Sequence, residues 1–127
     1  MKKIVFIITM LLLTGCKPGE DKAIQLAKNE MSASMKDPDS AKFRYMRFIK
    51  ENEKNDGSIS GTVCGQVNGK NGFGAYAGFT PFIVKITMKE KGFFSKGVDY
   101  SIDGKYYFSE SNQKNAKDYQ SICGPDE

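Results

Sequence analysis

"SISGTVCGQVNGKNGFGAYAGFTPFIVKITMKE", residues 58–90, decides how this chain folds. Its last third, "FTPFIVKITMKE" (79–90), places Phe82, Val84, Ile86 and Met88 at every second position, with Ile83, Lys85 and Thr87 between them. Successive side chains of a strand point to opposite faces, so this period predicts a strand with one apolar face. "SISGTVCGQV" (58–67) does the same: Ile59, Val63 and Val67 share one face and Cys64 takes the other. Two such strands in sequence predict an antiparallel pair. Their connection, "NGKNGFGAYAG" (68–78), is eleven residues long, against roughly two to five in most hairpins.

Upstream, "KFRYMRFIKE" (42–51) alternates as well, with Phe43, Tyr45 and Ile49 on one face and Met46 and Phe48 on the other. "EKNDGS" (53–58) is the turn between this strand and the next. Before it, Ile24, Ala27, Met31 and Met35 recur at spacings of three and four over 21–36, which predicts an amphipathic helix with Lys22, Lys28 and Glu30 outward. "KDPDSAKF" (36–43) stops that helix, because Pro38 disfavours helical geometry at Asp37 and Asp39 and Ser40 favour a turn.

Downstream, "KGFFSKG" (91–97) reads as a loop or bulge. "VDYSIDGKYYF" (98–108) carries Asp103-Gly104 between two β-prone runs, which predicts a tight hairpin. Residues 111–123 place Ala116, Tyr119, Ile122 and Cys123 at helical spacing, and Gly124-Pro125 stops that helix. The expected fold is α+β: an antiparallel sheet of about four to five short strands with an N-terminal and a C-terminal helix.

The N-terminus speaks to location. Lys2 and Lys3 precede "IVFIITMLLL" (4–13), an apolar run too short for a permanent span, as in an export signal over 1–15. "LTGC" (13–16) resembles the lipobox of bacterial lipoproteins. That resemblance implies a diacylglycerol thioether on Cys16, cleavage before it and a lipidated tether over 16–21. A non-lipidated secretory signal is the bland alternative. Two or three acyl chains hold a protein to a membrane durably. In lipoproteins of enterobacteria Asp after the lipidated Cys favours the inner membrane; with Lys17 there, the resemblance implies a place in the cell envelope and, in a cell with two membranes, the periplasmic face of the outer one.

Residues 22–127 would then form a single domain. With Cys16 lipidated, Cys64 and Cys123 remain as a pair in an exported protein, and a disulfide is expected. A metal pair or free thiols are disfavoured by the absence of His and of C-x-x-C, and no metal or cofactor is expected. Without residues 1–15, 17 basic side chains face 15 acidic ones. So small an excess argues against nucleic acid.

A catalytic base is hard to place. Without His, Ser-His and Cys-His arrangements are impossible, and the carboxylates sit mostly in solvated runs such as "KENEKNDG" (50–57). The end "GPDE" (124–127) reads as a free tail. The chain is expected not to be an enzyme. A strand, not a helix, follows the Gly-rich connection, which argues against a nucleotide cradle.

In that connection Asn68, Lys70 and Asn71 offer hydrogen-bonding groups, and Phe73, Tyr76 and Phe79 offer rings, a combination suited to a partner surface. The alternative is that "VNG" and "KNG" are turns and the rings fold back over the sheet edge. The pattern "VCG-VN-KN-FG-Y-GF--F" with "KDPDSAKF" resembles a motif pair of small exported proteins of proteobacteria and their mobile elements, over roughly 36–83; it implies no activity. The expected function is a membrane-anchored accessory or binding module with a protein partner, less so a glycan. The alternative is an inhibitor or exclusion lipoprotein of a mobile element, acting on a hydrolase or phage receptor.

Overall fold

The computed structural model describes residues 19–91, 97–108 and 113–126, excluding the side chains of 113–116. The expected export signal, Cys16 and half of the 16–21 tether lie outside the described residues, as does most of the 91–97 connection. Four strands, β1 (Lys42–Glu53), β2 (Ile59–Asn68), β3 (Thr80–Glu90) and β4 (Val98–Tyr107), form one antiparallel sheet in the order β1-β2-β3-β4. Helix α1 (Glu20–Ala33) precedes them and α2 (Gln113–Cys123) follows. The α+β reading holds.

The two helices cover opposite faces. Ala23, Leu26, Ala27 and Met31 of α1 pack on Val63, Val67, Phe82, Val84, Ile86 and Met88, the main core. On the other face Tyr119 and Cys123 of α2 meet Cys64 and Ile83. The period-two patterns of β2 and β3 thus supply both layers, one set of alternate residues to each helix. Glu20 and Asp21 in the first turn of α1 suit the positive end of its dipole. The helix ends before a 3-10 turn over Pro38–Ser40, where Pro38 stands at the start and needs no amide partner.

Strand β1 departs from the expected alternation. Arg44 pairs with Gln66 and Arg47 with Cys64, so Tyr45 and Met46 together face Gly65 in a bulge, with Tyr45 at φ 57°. The extra residue reverses the faces beyond it. Met46 and Phe48 therefore join Phe43 against the main core, while Tyr45 and Ile49 are exposed. Gly61 and Gly65 make room for this packing: a Cβ at Gly61 would lie 2.6 Å from the Phe48 ring, and one at Gly65 would collide with the Met46 sulfur. The small residue beside Cys64 is thus needed on the α1 face.

The Asp103-Gly104 hairpin does not form. Strand β4 runs straight through, Lys85 pairing with Gly104 and Ile86 with Ile102, which leaves Asp103 as a one-residue bulge. Gly104 is not among the residues with positive φ that such a turn requires. A hairpin there would leave half of β3 without a neighbour, so ladder pairing overrides the local turn preference. Thr87 Oγ1 donates to Asp103 Oδ2 at 2.7 Å and secures the bulge.

The Cys64–Cys123 disulfide joins β2 to the last residue of α2, with Cα atoms 6.0 Å apart. Gly124, at φ 72°, donates its amide to the Gln120 carbonyl at 2.8 Å and turns the chain away, the helix stop read from the sequence.

Candidate functional site

The eleven-residue connection is an ordered structure with its own hydrogen bonds. Lys70 and Tyr76 pair as an isolated antiparallel bridge, and the Asn71 amide donates to the Ala75 carbonyl at 2.8 Å. The turn between them is built by Asn71, whose Oδ1 accepts from the amides of Phe73 (2.9 Å) and Ala75 (3.2 Å). At the base, Asn68 Oδ1 accepts from the Gly78 amide at 3.1 Å. The two asparagines spend their side-chain oxygens inside the loop.

This small hairpin is docked on the 3-10 turn. Ser40 Oγ accepts from the Lys70 amide at 3.0 Å and donates to the Asp37 carbonyl at 2.7 Å. The Tyr76 hydroxyl donates to the Ser40 carbonyl at 3.0 Å. Buried Ser40 therefore joins the two motifs quoted from the sequence, "KDPDSAKF" and the Gly-rich connection. Met35, just beyond α1, fills the space beside Gly69.

Cations stack on the rings. The Lys42 ammonium lies 4.5 Å from the centre of the Tyr76 ring and that of Lys70 5.9 Å, and the Arg44 guanidinium lies 3.9 Å from the centre of Phe79. Arg44 also donates from Nε to Gln66 Oε1 at 2.7 Å. Of the six residues singled out from the sequence, Asn68, Asn71, Tyr76 and Phe79 are thus brought together as the frame of the loop. Lys70 is exposed and stacked. Phe73 stands apart: it is 98% exposed at the tip. Ser40, Lys42 and Arg44 were missed as site residues, although the upstream motif contains Ser40 and Lys42.

A second polar cluster lies on the α2 face. Asp126 accepts from Arg47 Nη1 (3.0 Å), Gln66 Nε2 (2.7 Å) and the Tyr119 hydroxyl (2.7 Å). The tail expected to be free is pinned through this carboxylate. Arg47 also donates from Nε to the Cys123 carbonyl (2.9 Å) and from Nη2 to that of Gly124 (3.1 Å), placing its charge at the negative end of α2.

Burial, with the Asp126 hydrogen bond, pushes the Tyr119 phenol up to about 12. Burial works to raise the Asp126 carboxyl too, but hydrogen bonds from Tyr119, Gln66 and Arg47 outweigh it and hold it below the ordinary carboxylate range. At neutral pH the pair is a protonated phenol donating to a carboxylate, an arrangement that fastens chain to chain.

An open groove of 420 Å³ separates α2 from β4, bounded by Ile83, Tyr107, Phe108 and Ile122. Among the described residues no group of three His, Cys, Asp or Glu is placed to hold a metal ion, and no helix is long and apolar enough to cross a membrane.

Comparison with protein-family models, curated proteins and solved structures returns no match.

Proposed function

We propose that this chain is a non-catalytic binding module, held at a membrane by lipid on Cys16, that engages a protein partner through the 68–79 loop. The observation that carries this reading is Phe73, 98% exposed at the tip of a loop whose other rings, Tyr76 and Phe79, are engaged. A fully solvated phenyl group buries no area in the fold and so adds nothing to its stability. It gains free energy only when something covers it. The hydrogen-bonded frame behind it limits the freedom lost on docking, which lowers the cost of association.

The test compares wild-type chain with Phe73→Ser, both purified from detergent-solubilised membranes with whatever is bound. The variant should melt with the wild-type protein and lose its bound protein. An unchanged set of bound proteins removes the loop from the reading. The anchor is tested separately by Cys16→Ser, which should abolish acylation and release the chain from the membrane fraction. Recovery of that variant there at wild-type level counts against lipidation.

A further inference from the structure

The loop lies at the end of α1 remote from the proposed anchor. Cys16 precedes Glu20, the first residue of α1, by four residues, a tether that reaches at most about 14 Å. Helix α1 has 14 residues and is about 21 Å long at its usual rise. At its far end Met35 packs beside Gly69, and the Lys36 ammonium lies 3.5 Å from where a Cβ on Gly72 would stand. A lipid on Cys16 would therefore lie towards the N-terminal end of α1, whereas the Phe73 hairpin rises beside its C-terminal end.

The surroundings of Phe73 are basic. Lys36, Lys42, Arg44 and Lys70 border the loop, and among the described residues none of them forms an ion pair. Asp37 and Asp39 are the neighbouring carboxylates in the sequence, so the collar keeps an excess of two positive charges. Tyr76 and Phe79 hold three of the four cations in place by stacking.

The tip is poorly equipped for a glycan. Phenyl carries no polar atom, and the Asn68 and Asn71 side-chain oxygens are spent on loop amides. A ring that protrudes singly suits a pocket, and a cationic collar suits carboxylates at its rim. We infer that Phe73 is a knob for an apolar, carboxylate-rimmed pocket on a protein that lies away from the anchoring membrane. This inference rests on the binding-module reading above and adds the direction and chemistry of the partner.

Photo-cross-linking in cells tests it, with benzoylphenylalanine placed in the full-length chain at position 73 or, as a control near the tether, at exposed Gln25. Position 73 should give a protein adduct that position 25 does not, with the linked peptide lying beside Asp or Glu. Joint Lys36→Glu and Lys70→Glu substitution should weaken that adduct about tenfold, the loss expected for two charge contacts near a surface. Raised salt should weaken it in the unsubstituted collar too, which keeps the test decisive if the double variant folds poorly.

A protein adduct indifferent to both charge reversal and salt overturns the inference while sparing the binding module. So does an adduct that is only phospholipid, or one that collapses on muramidase digestion and is therefore glycan. Absence of any adduct at position 73 overturns both readings.

Discussion

Arg47 Nη1 lies 3.0 Å from Asp126 Oδ1, an ion pair that joins the middle of β1 to the end of the chain. Both side chains are less than a quarter exposed, so solvent screens the pair only in part. Removing the charge with Asp126→Asn leaves Arg47 without its counter-ion, and urea denaturation should show a loss of about 1–3 kcal/mol. Arg47→Ala should cost at least as much, because the carbonyls of Cys123 and Gly124 lose their donor as well. Stability unchanged in both variants would show that the clasp contributes nothing.

The same carboxylate makes stability depend on acid. The folded protein holds the Asp126 carboxyl below its ordinary value, which is about 3.9 in an unfolded chain. The folded state therefore gains from ionised Asp126 fully above about pH 4, and loses that gain as pH falls further through the folded value. Urea midpoints measured downward from pH 5 should drop more steeply in wild-type protein than in Asp126→Asn.

Alkali should act through Tyr119. Its phenol is raised to about 12 in the folded chain and ionises near 10 when unfolded. The contribution is complete below about pH 10 and is lost as pH rises towards 12, because the unfolded state releases its proton first. Titration of phenolate absorbance should show a step at about 12 that Tyr119→Phe deletes.

Breaking the Cys64–Cys123 bond by Cys64→Ser should cost about 2–5 kcal/mol and expose α2 to amide exchange before the main core. Tyr119 and Cys123 are the buried residues of the described part of that helix, so without the bond it rests on the Tyr119 ring and the Arg47–Asp126 cluster. Equal protection of α2 and β3 in the variant would contradict this order.

Gly61→Ala tests the crowded side of β2. The added methyl would stand 2.6 Å from the Phe48 ring and collide with the Ile49 carbonyl, and neither can withdraw without disturbing β1. Thermal unfolding should report a loss of about 1–3 kcal/mol. A neutral substitution would mean that β1 shifts freely over its neighbour.

The sheet was legible because β2 and β3 alternate without interruption, and the disulfide because, once Cys16 is set aside with the N-terminal segment, Cys64 and Cys123 are the two cysteines left. The bulge at Tyr45–Met46 was not, since one added residue reverses the faces that follow it, as far as the second shift after Lys50, and nothing in "KFRYMRFIKE" marks where it falls. Asp103-Gly104 misled for the opposite reason: its local turn preference is real, but β3 offers a longer partner than a hairpin could. At the loop, rings and amides could be picked out as a group. Which would face inward depended on Ser40, 30 residues before Lys70 and 36 before Tyr76, and contacts of that range leave no periodic trace. Asp126 was hidden in the same way, its three donors being scattered over β1, β2 and α2.

Because every strand pairs with its sequence neighbour, the sheet can zip together through short loop closures, which favours rapid formation of the main core. The tail is the exception, since Cys123 meets Cys64 across 59 residues and Asp126 reaches back further still to Arg47. A newly made chain can thus collapse around α1 while both thiols are still reduced. Oxidation then acts late, as a latch thrown on a domain already shaped, and a delayed oxidant would leave α2 held by its polar clasp alone while the sheet and the Phe73 hairpin stand complete.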